Sequence, residues 1–176
     1  KTGEDEHYIF ISHFKQESGT EAALLLDTLE KTISEDTSNP AADFDSPFFL
    51  DSEVLSDLSS LPKHVMNSHN LVILLTNKVF TRRWCLEELV LAMRAGTYII
   101  PCEIQRPGMQ YDYPDAAFYQ QFAAGQIVSA EDTRLLSEQG ISLQDCEDAI
   151  RYVSRLISVT FSPHKSLKIR TAEAAC

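Results

Sequence analysis

The chain has 176 residues, 44% of them hydrophobic, so it is long enough for one buried core and too short for two ordinary domains. Its 15 basic and 26 acidic residues give a formal charge of −11, which argues against nucleic acid or an anionic membrane surface as a partner. No apolar run approaches the roughly 20 residues of a spanning helix. Four scattered cysteines without C-x-x-C spacing, and histidines without metal-ligand spacing, indicate a reduced cytoplasmic domain with no assigned metal.

The first predicted strand is residues 8–11, Tyr-Ile-Phe-Ile. A polar loop is predicted from Ser12 to Gly19. Ser18 and Glu21 have the spacing of a capping box, and the apolar residues that follow recur with helical period. The sequence therefore predicts a strand, a loop and then an amphipathic helix.

Two more strands are predicted in the middle of the chain. Residues 48–50 form an apolar triplet that ends at Asp51. Ser60 begins a short predicted helix that ends near Asn67. The continuously apolar residues 71–75 are typical of a central parallel strand that is covered on both faces.

A helix is predicted from Trp84 to about Ala95, where Gly96 suits the left-handed position that ends a helix. Residues 98–102 predict the next strand. Beyond this strand the signals are weaker, and they predict a short helix at residues 115–124 and a short strand at 126–128. Ser142 and Asp145 are predicted to cap a last helix, which runs to about residue 161. A frayed tail is expected after it.

The alternation of strands and helices predicts an α/β fold: a flavodoxin-like three-layer sandwich around a parallel sheet of roughly five strands. One domain is expected over residues 8–161, between an acidic lead-in (1–7) of the kind found inside a longer protein and a C-terminal tail (162–176). With flavodoxin-like strand order assumed, the binding crevice lies where the first and third strands end, with Asp51 one strand away.

Glu88 is the candidate for chemistry at this crevice. The helical period places it opposite the stripe of Leu86 and Val90, facing away from the core with Trp84. A solvated acid is the plain alternative for Glu88, and ordinary packing is the alternative to a pocket wall for Trp84. A lone carboxylate suffices where the leaving group departs unaided and leaves an oxocarbenium ion, as nicotinamide does from NAD.

The sequence resembles the Toll/interleukin-1 receptor homology (TIR) domain, in its plant and enzymatic branches. The resemblance rests on Tyr8-Ile9-Phe10-Ile11-Ser12-His13, on Phe49-Leu50-Asp51, on residues 71–76 at the third strand and above all on the W-C-x-x-E element from Trp84 to Glu88. It covers roughly residues 8–104. It implies a flavodoxin-like fold and an NAD nucleosidase that gives nicotinamide and ADP-ribose or a cyclic isomer, with NAD as substrate and no cofactor.

The resemblance also implies roles for single residues. Glu88 takes the place of the catalytic glutamate, and Ser12 and His13 stand where the first-strand loop meets the nicotinamide-side ribose. Phe14 occupies a position at which many members have Arg, and Lys15 is expected to supply the positive charge instead. Self-association or binding to other TIR domains is expected to activate the enzyme, in immune or cell-death signalling.

Asp51 is expected to gate the crevice or touch a neighbouring copy, and a turn-forming Asp is the alternative. Asp51→Ala is therefore expected to weaken activity and assembly together. Two other function classes stay open. One is a TIR scaffold without chemistry, and the other is a receiver-like domain phosphorylated on Asp, which Ser12 and His13 disfavour because receivers carry paired acids there.

Overall fold

The computed structural model describes residues 6–36, 38–50, 60–108 and 110–175. Its centre is a five-stranded, all-parallel sheet in the order β2-β1-β3-β4-β5. The strands are β1 (His7–Ser12), β2 (Phe48–Leu50), β3 (Ser68–Leu75), β4 (Tyr98–Ile104) and β5 (Val159–Phe161). The predicted flavodoxin-like fold is confirmed, and the strand order is the flavodoxin-like one that the prediction assumed.

Helices lie on both faces of this sheet. They are α1 (Lys15–Glu35), α2 (Leu61–Met66), α3 (Arg83–Ala95), α4 (Ala116–Ala123), α5 (Ala130–Glu138), α6 (Leu143–Val153) and α7 (Leu167–Ala174), with 3-10 turns at Pro40–Asp43 and Val79–Thr81. Gly96 ends α3 with a φ of 75°, in the left-handed conformation that its lack of a Cβ allows. Within the described part of the chain, no helix is both long and apolar enough to cross a membrane.

Alternate residues of β3 separate the core into two layers. Leu71, Ile73 and Leu75 join the larger cluster, which includes residues of α2, α3 and α6. Val72 and Leu74 join the smaller cluster on the α1 side. Because side chains of a strand alternate between its faces, a continuously apolar strand serves both layers at once.

The fifth strand differs from the prediction. Residues 126–128 form no strand and lead into α5, where the Ser129 side chain accepts a hydrogen bond from the Asp132 N–H. The helix predicted to reach residue 161 ends at Val153, and β5 follows. The apolar spacing beyond Val153 misled the prediction, since Ile157 is 94% exposed and faces no core.

The first helix begins earlier than predicted, at Lys15. The predicted cap residue, Ser18, is instead a kink with φ −144° and ψ 18°, and its hydroxyl donates to the Phe14 carbonyl at 3.2 Å. Of the loop predicted from Ser12 to Gly19, only residues 13 and 14 lie between β1 and α1.

The tail, predicted to be frayed, forms α7. The Glu173 carboxylate accepts from the Ser162 N–H at 2.6 Å and from the Ser162 hydroxyl at 2.7 Å. These two bonds hold α7 against the end of β5.

Candidate functional site at the carboxyl edge of the sheet

The end of β1 and the start of α3 lie together at the carboxyl edge of the sheet. The Cys85 thiol donates to the His13 carbonyl oxygen at 3.4 Å. The Arg82 guanidinium lies over the Phe14 ring, 4.5 Å from its centroid. Because β1 and β3 are neighbours in the sheet and their connections leave in opposite directions, this is the position at which α/β folds bind ligands.

Glu88 lies one turn beyond Cys85 on α3 and exposes only 2% of its surface. The prediction that it faces away from the core into solvent is therefore wrong. The prediction assumed that only the stripe of Leu86 and Val90 faces other elements. In the structure every residue from Cys85 to Val90 is buried, because α2, α5 and α6 all pack against α3. Burial places the carboxylate in a medium of low dielectric constant, where its electric field acts more strongly.

Glu87 is also buried, with 3% of its surface exposed, and it has a cationic partner. Arg83 Nη1 lies 3.4 Å from Glu87 Oε2, and Arg83 Nε lies 3.7 Å from Asp132 Oδ1. Burial raises the pKa of Glu87, and the charge of Arg83 partly opposes this shift. Glu87 is therefore part of a small ion-pair network that joins α3 to α5.

Trp84 is half-buried and packs against the larger core cluster. The Arg83 guanidinium lies over its ring, 3.6 Å from the centroid. These contacts give Trp84 a packing role, and its contact with a substrate stays a prediction.

Ser12 is the last residue of β1, where it pairs with Ile73 of β3, and His13 follows it. Ser12 is 1% exposed, and neither its hydroxyl nor His13 Nδ1 makes a side-chain hydrogen bond to the residues described. The pKa of His13 is lowered because burial disfavours the imidazolium; the Ile11 backbone opposes this shift, and the charge of Lys15 adds to it. The imidazole is therefore neutral near pH 7. The Ser12 hydroxyl and the buried Nδ1 atom of half-buried His13 therefore keep hydrogen-bonding capacity for a ligand.

The other predicted site residues have different settings. Phe14 is buried, and Lys15 is exposed as the first residue of α1. Asp51 lies outside the described residues. The structure therefore brings Ser12, His13 and Phe14 close to the start of α3, and the predicted role of Asp51 stays a prediction.

A cavity of about 60 Å³, partly open to solvent, lies at the ends of β3 and β4, beside the crevice predicted where the first and third strands end. Thr76 and Tyr111 line it, and their buried hydroxyls make no hydrogen bond to the described residues. Burial raises the pKa of Tyr111, so it remains a neutral donor. Arg106 fixes one wall by donating to the Glu17 carbonyl at 2.6 Å and pairing with Glu21 at 2.8 Å. In the sequence, the only feature that points to Thr76 as a site residue is its position directly after the predicted strand at residues 71–75.

This edge offers a buried carboxylate, two small hydroxyls and a neutral imidazole. Within the described ranges, no group of three or more His, Cys, Asp or Glu residues is arranged to hold a metal ion. Such a set of residues can orient a polar ligand and stabilise a developing positive charge.

No protein-family model matches the sequence, and no curated protein sequence matches it significantly. Among solved structures, the chain is similar to the TIR domains of the activated Roq1 resistosome that directly recognises the pathogen effector XopQ. The TM-score is 0.54 at 15% sequence identity, over 94% of this chain and 93% of that one. At this identity the likeness concerns architecture, and the chain has the fold of those TIR domains.

Proposed function

We propose that the chain is an NAD nucleosidase that cleaves the bond between nicotinamide and ribose, with Glu88 as its catalytic residue. The observation that carries the proposal is the burial of Glu88 one turn beyond the contact between Cys85 and the end of β1. A carboxylate is costly to bury, so this position calls for a structural or a chemical use. The W-C-x-x-E resemblance favours the chemical one.

In the proposed reaction the C–N bond to nicotinamide breaks, and the bonding electrons leave with the pyridinium, which becomes neutral nicotinamide. Positive charge develops on the ribose as an oxocarbenium ion. The Glu88 carboxylate stabilises that charge, most effectively where water is excluded. Water or a nucleophile of the same substrate then completes the reaction to ADP-ribose or a cyclic isomer. Ser12 and His13 are proposed to position the ribose.

Self-association is the proposed activator. Because Glu88 is 2% exposed in the single chain, a substrate reaches it only after neighbouring side chains rearrange. Contact with a second copy is a source of energy for that change. The structural neighbour belongs to an activated resistosome that recognises a pathogen effector, which supports a cytoplasmic role in immune or cell-death signalling.

A scaffold without chemistry is the second candidate. Glu87 and Trp84 both contact Arg83 inside the fold, so part of the W-C-x-x-E element serves packing. A protein that only recruits other TIR domains keeps these residues for that reason.

The two candidates differ in one measurement. The purified chain is incubated with NAD at high micromolar concentration, and the products are separated by chromatography. Release of nicotinamide supports the nucleosidase. Sedimentation that shows self-association, together with NAD that stays intact, supports the scaffold.

A further inference from the structure

Arg82 is a cation at the candidate site without a carboxylate partner among the described residues. Its side chain is exposed and lies over the Phe14 ring at 4.5 Å. Five other arginines in the described part of the chain each lie within 4 Å of a carboxylate oxygen: Arg83, Arg94, Arg106, Arg134 and Arg151. In a chain with 26 acidic and 15 basic residues, a guanidinium that pairs with an aromatic ring is available to an anion from solution.

Two other arginines around this edge are paired with carboxylates, and Lys15 is an exposed cation at the start of α1. Arg83 is paired with Glu87 and Asp132, and Arg106 is paired with Glu21. His13 is neutral near pH 7 because burial lowers its pKa. An anionic ligand at the end of β1 therefore meets Arg82 as a guanidinium that pairs with no carboxylate among the described residues, with Lys15 as a second cation at the start of α1.

We infer that Arg82 binds the pyrophosphate of the substrate and makes the site selective for nicotinamide compounds that carry one. The inference rests on the proposed function, since it assumes that the nicotinamide-side ribose lies near Glu88. Arg82 and Glu88 are six residues apart, or roughly 9 Å along the axis of α3. A ribose and its 5′-phosphate span a distance of that order, and a guanidinium matches phosphate oxygens with two parallel hydrogen bonds.

Arg82→Gln tests this role without disturbing the helix. The Arg82 side chain makes no capping hydrogen bond to α3, and it is exposed. Arg155→Gln is the matched control, because it removes the same charge from an exposed side chain in the loop that enters β5, at the opposite edge of the sheet. Arg82→Lys is the second variant, since it keeps the charge and loses the planar fork.

The main readout is binding of ADP-ribose, measured by calorimetry at high protein concentration. We expect Arg82→Gln to weaken binding at least about tenfold, Arg82→Lys to have an intermediate effect and Arg155→Gln to bind like the parent. Arg82→Gln should also raise KM for NAD and leave cleavage of nicotinamide riboside, which has no phosphate, unchanged.

The outcomes separate this inference from the proposed function. A parent that binds ADP-ribose through Arg82 but leaves NAD intact refutes the nucleosidase and supports Arg82. A parent that cleaves NAD while Arg82→Gln and Arg155→Gln bind ADP-ribose equally well overturns the role of Arg82. A parent that binds no ADP-ribose overturns it as well.

Discussion

Two adjacent glutamates on α3 have different surroundings. Glu87 faces Arg83 and, through it, Asp132 on α5. Glu88 lies one turn after Cys85, whose thiol donates to the His13 carbonyl just beyond β1. Residues adjacent on a helix point about 100° apart, so equal burial does not imply an equal role. We expect Glu87 to contribute to the fold and Glu88 to the reaction.

The pKa of Glu87 predicts a pH dependence of stability. An acid whose pKa is raised on folding stabilises the native state below its ordinary pKa of 4.5, and that contribution is lost as the pH rises through the folded-state value. Glu87→Gln removes this dependence. In denaturant unfolding at several pH values from 4 upwards, the stability of Glu87→Gln relative to the parent should rise with pH. A difference that is flat or falls with pH contradicts the assigned environment.

The position of Glu88 could be predicted from sequence, and its burial could not. A helix after the third strand brings its first turns to the carboxyl edge of a parallel sheet, so residue order alone places Glu88 there. Burial depends on α5 and α6, which come about 40 to 70 residues later in the chain and enclose the side of α3 that one helical stripe leaves open. The unbonded hydroxyls of Thr76 and Tyr111 also depend on tertiary contacts, which sequence periodicity does not contain.

At the level of elements, α7 covers a pocket on the α1 side of the sheet. The pocket is lined by residues of β4 and β5, including the buried Cys102, and by Glu173 of α7. Burial, followed by the charges of Glu173 and Glu103, raises the pKa of Cys102 to about 12, so the thiol is unreactive while α7 is in place.

Glu173→Gln should release α7 and expose Cys102. The Glu173 carboxylate accepts two hydrogen bonds from Ser162, whereas Gln replaces one acceptor oxygen with a donor. Loss of one such bond costs about 1–3 kcal/mol, which is enough to make Cys102 react roughly tenfold faster with a thiol reagent. Mass spectrometry locates the modification. Glu138→Gln, in an exposed pair on α5, is the control, and equal labelling of Cys102 in both variants contradicts the role given to Glu173.

The strands with a continuous apolar run were predictable, and β5, which has no such run, was not. The apolar segments at β1, β2, β3 and β4 identified those strands to within a few residues, because each is apolar over at least three positions between polar segments. β5 has only three residues, Val-Thr-Phe, and one of them is exposed. Its pairing with β4 decides its conformation, and that partner is not visible in local sequence.

For the whole molecule, occlusion of Glu88 in the single chain predicts an activity that depends on protein concentration. If a second copy drives the rearrangement that admits NAD, nicotinamide release per molecule should rise steeply between nanomolar and high micromolar protein. Activity is measured across this range alongside the sedimentation profile. A turnover per molecule that stays constant across the range rules out activation by assembly.

The most direct test of the account compares nicotinamide release from NAD by the parent, Glu88→Gln and Glu87→Gln at high protein concentration. Both variants remove one buried carboxylate from α3 while keeping its shape, so each is expected to change the free energy of unfolding by up to about 2 kcal/mol and to stay folded. We expect Glu88→Gln to lose on the order of 10²–10³ in rate, since it loses the charge beside the oxocarbenium ion, and Glu87→Gln to keep most activity. Equal cleavage by folded Glu88→Gln and the parent, or no cleavage by the parent, would contradict the assignment of Glu88 as a catalytic residue.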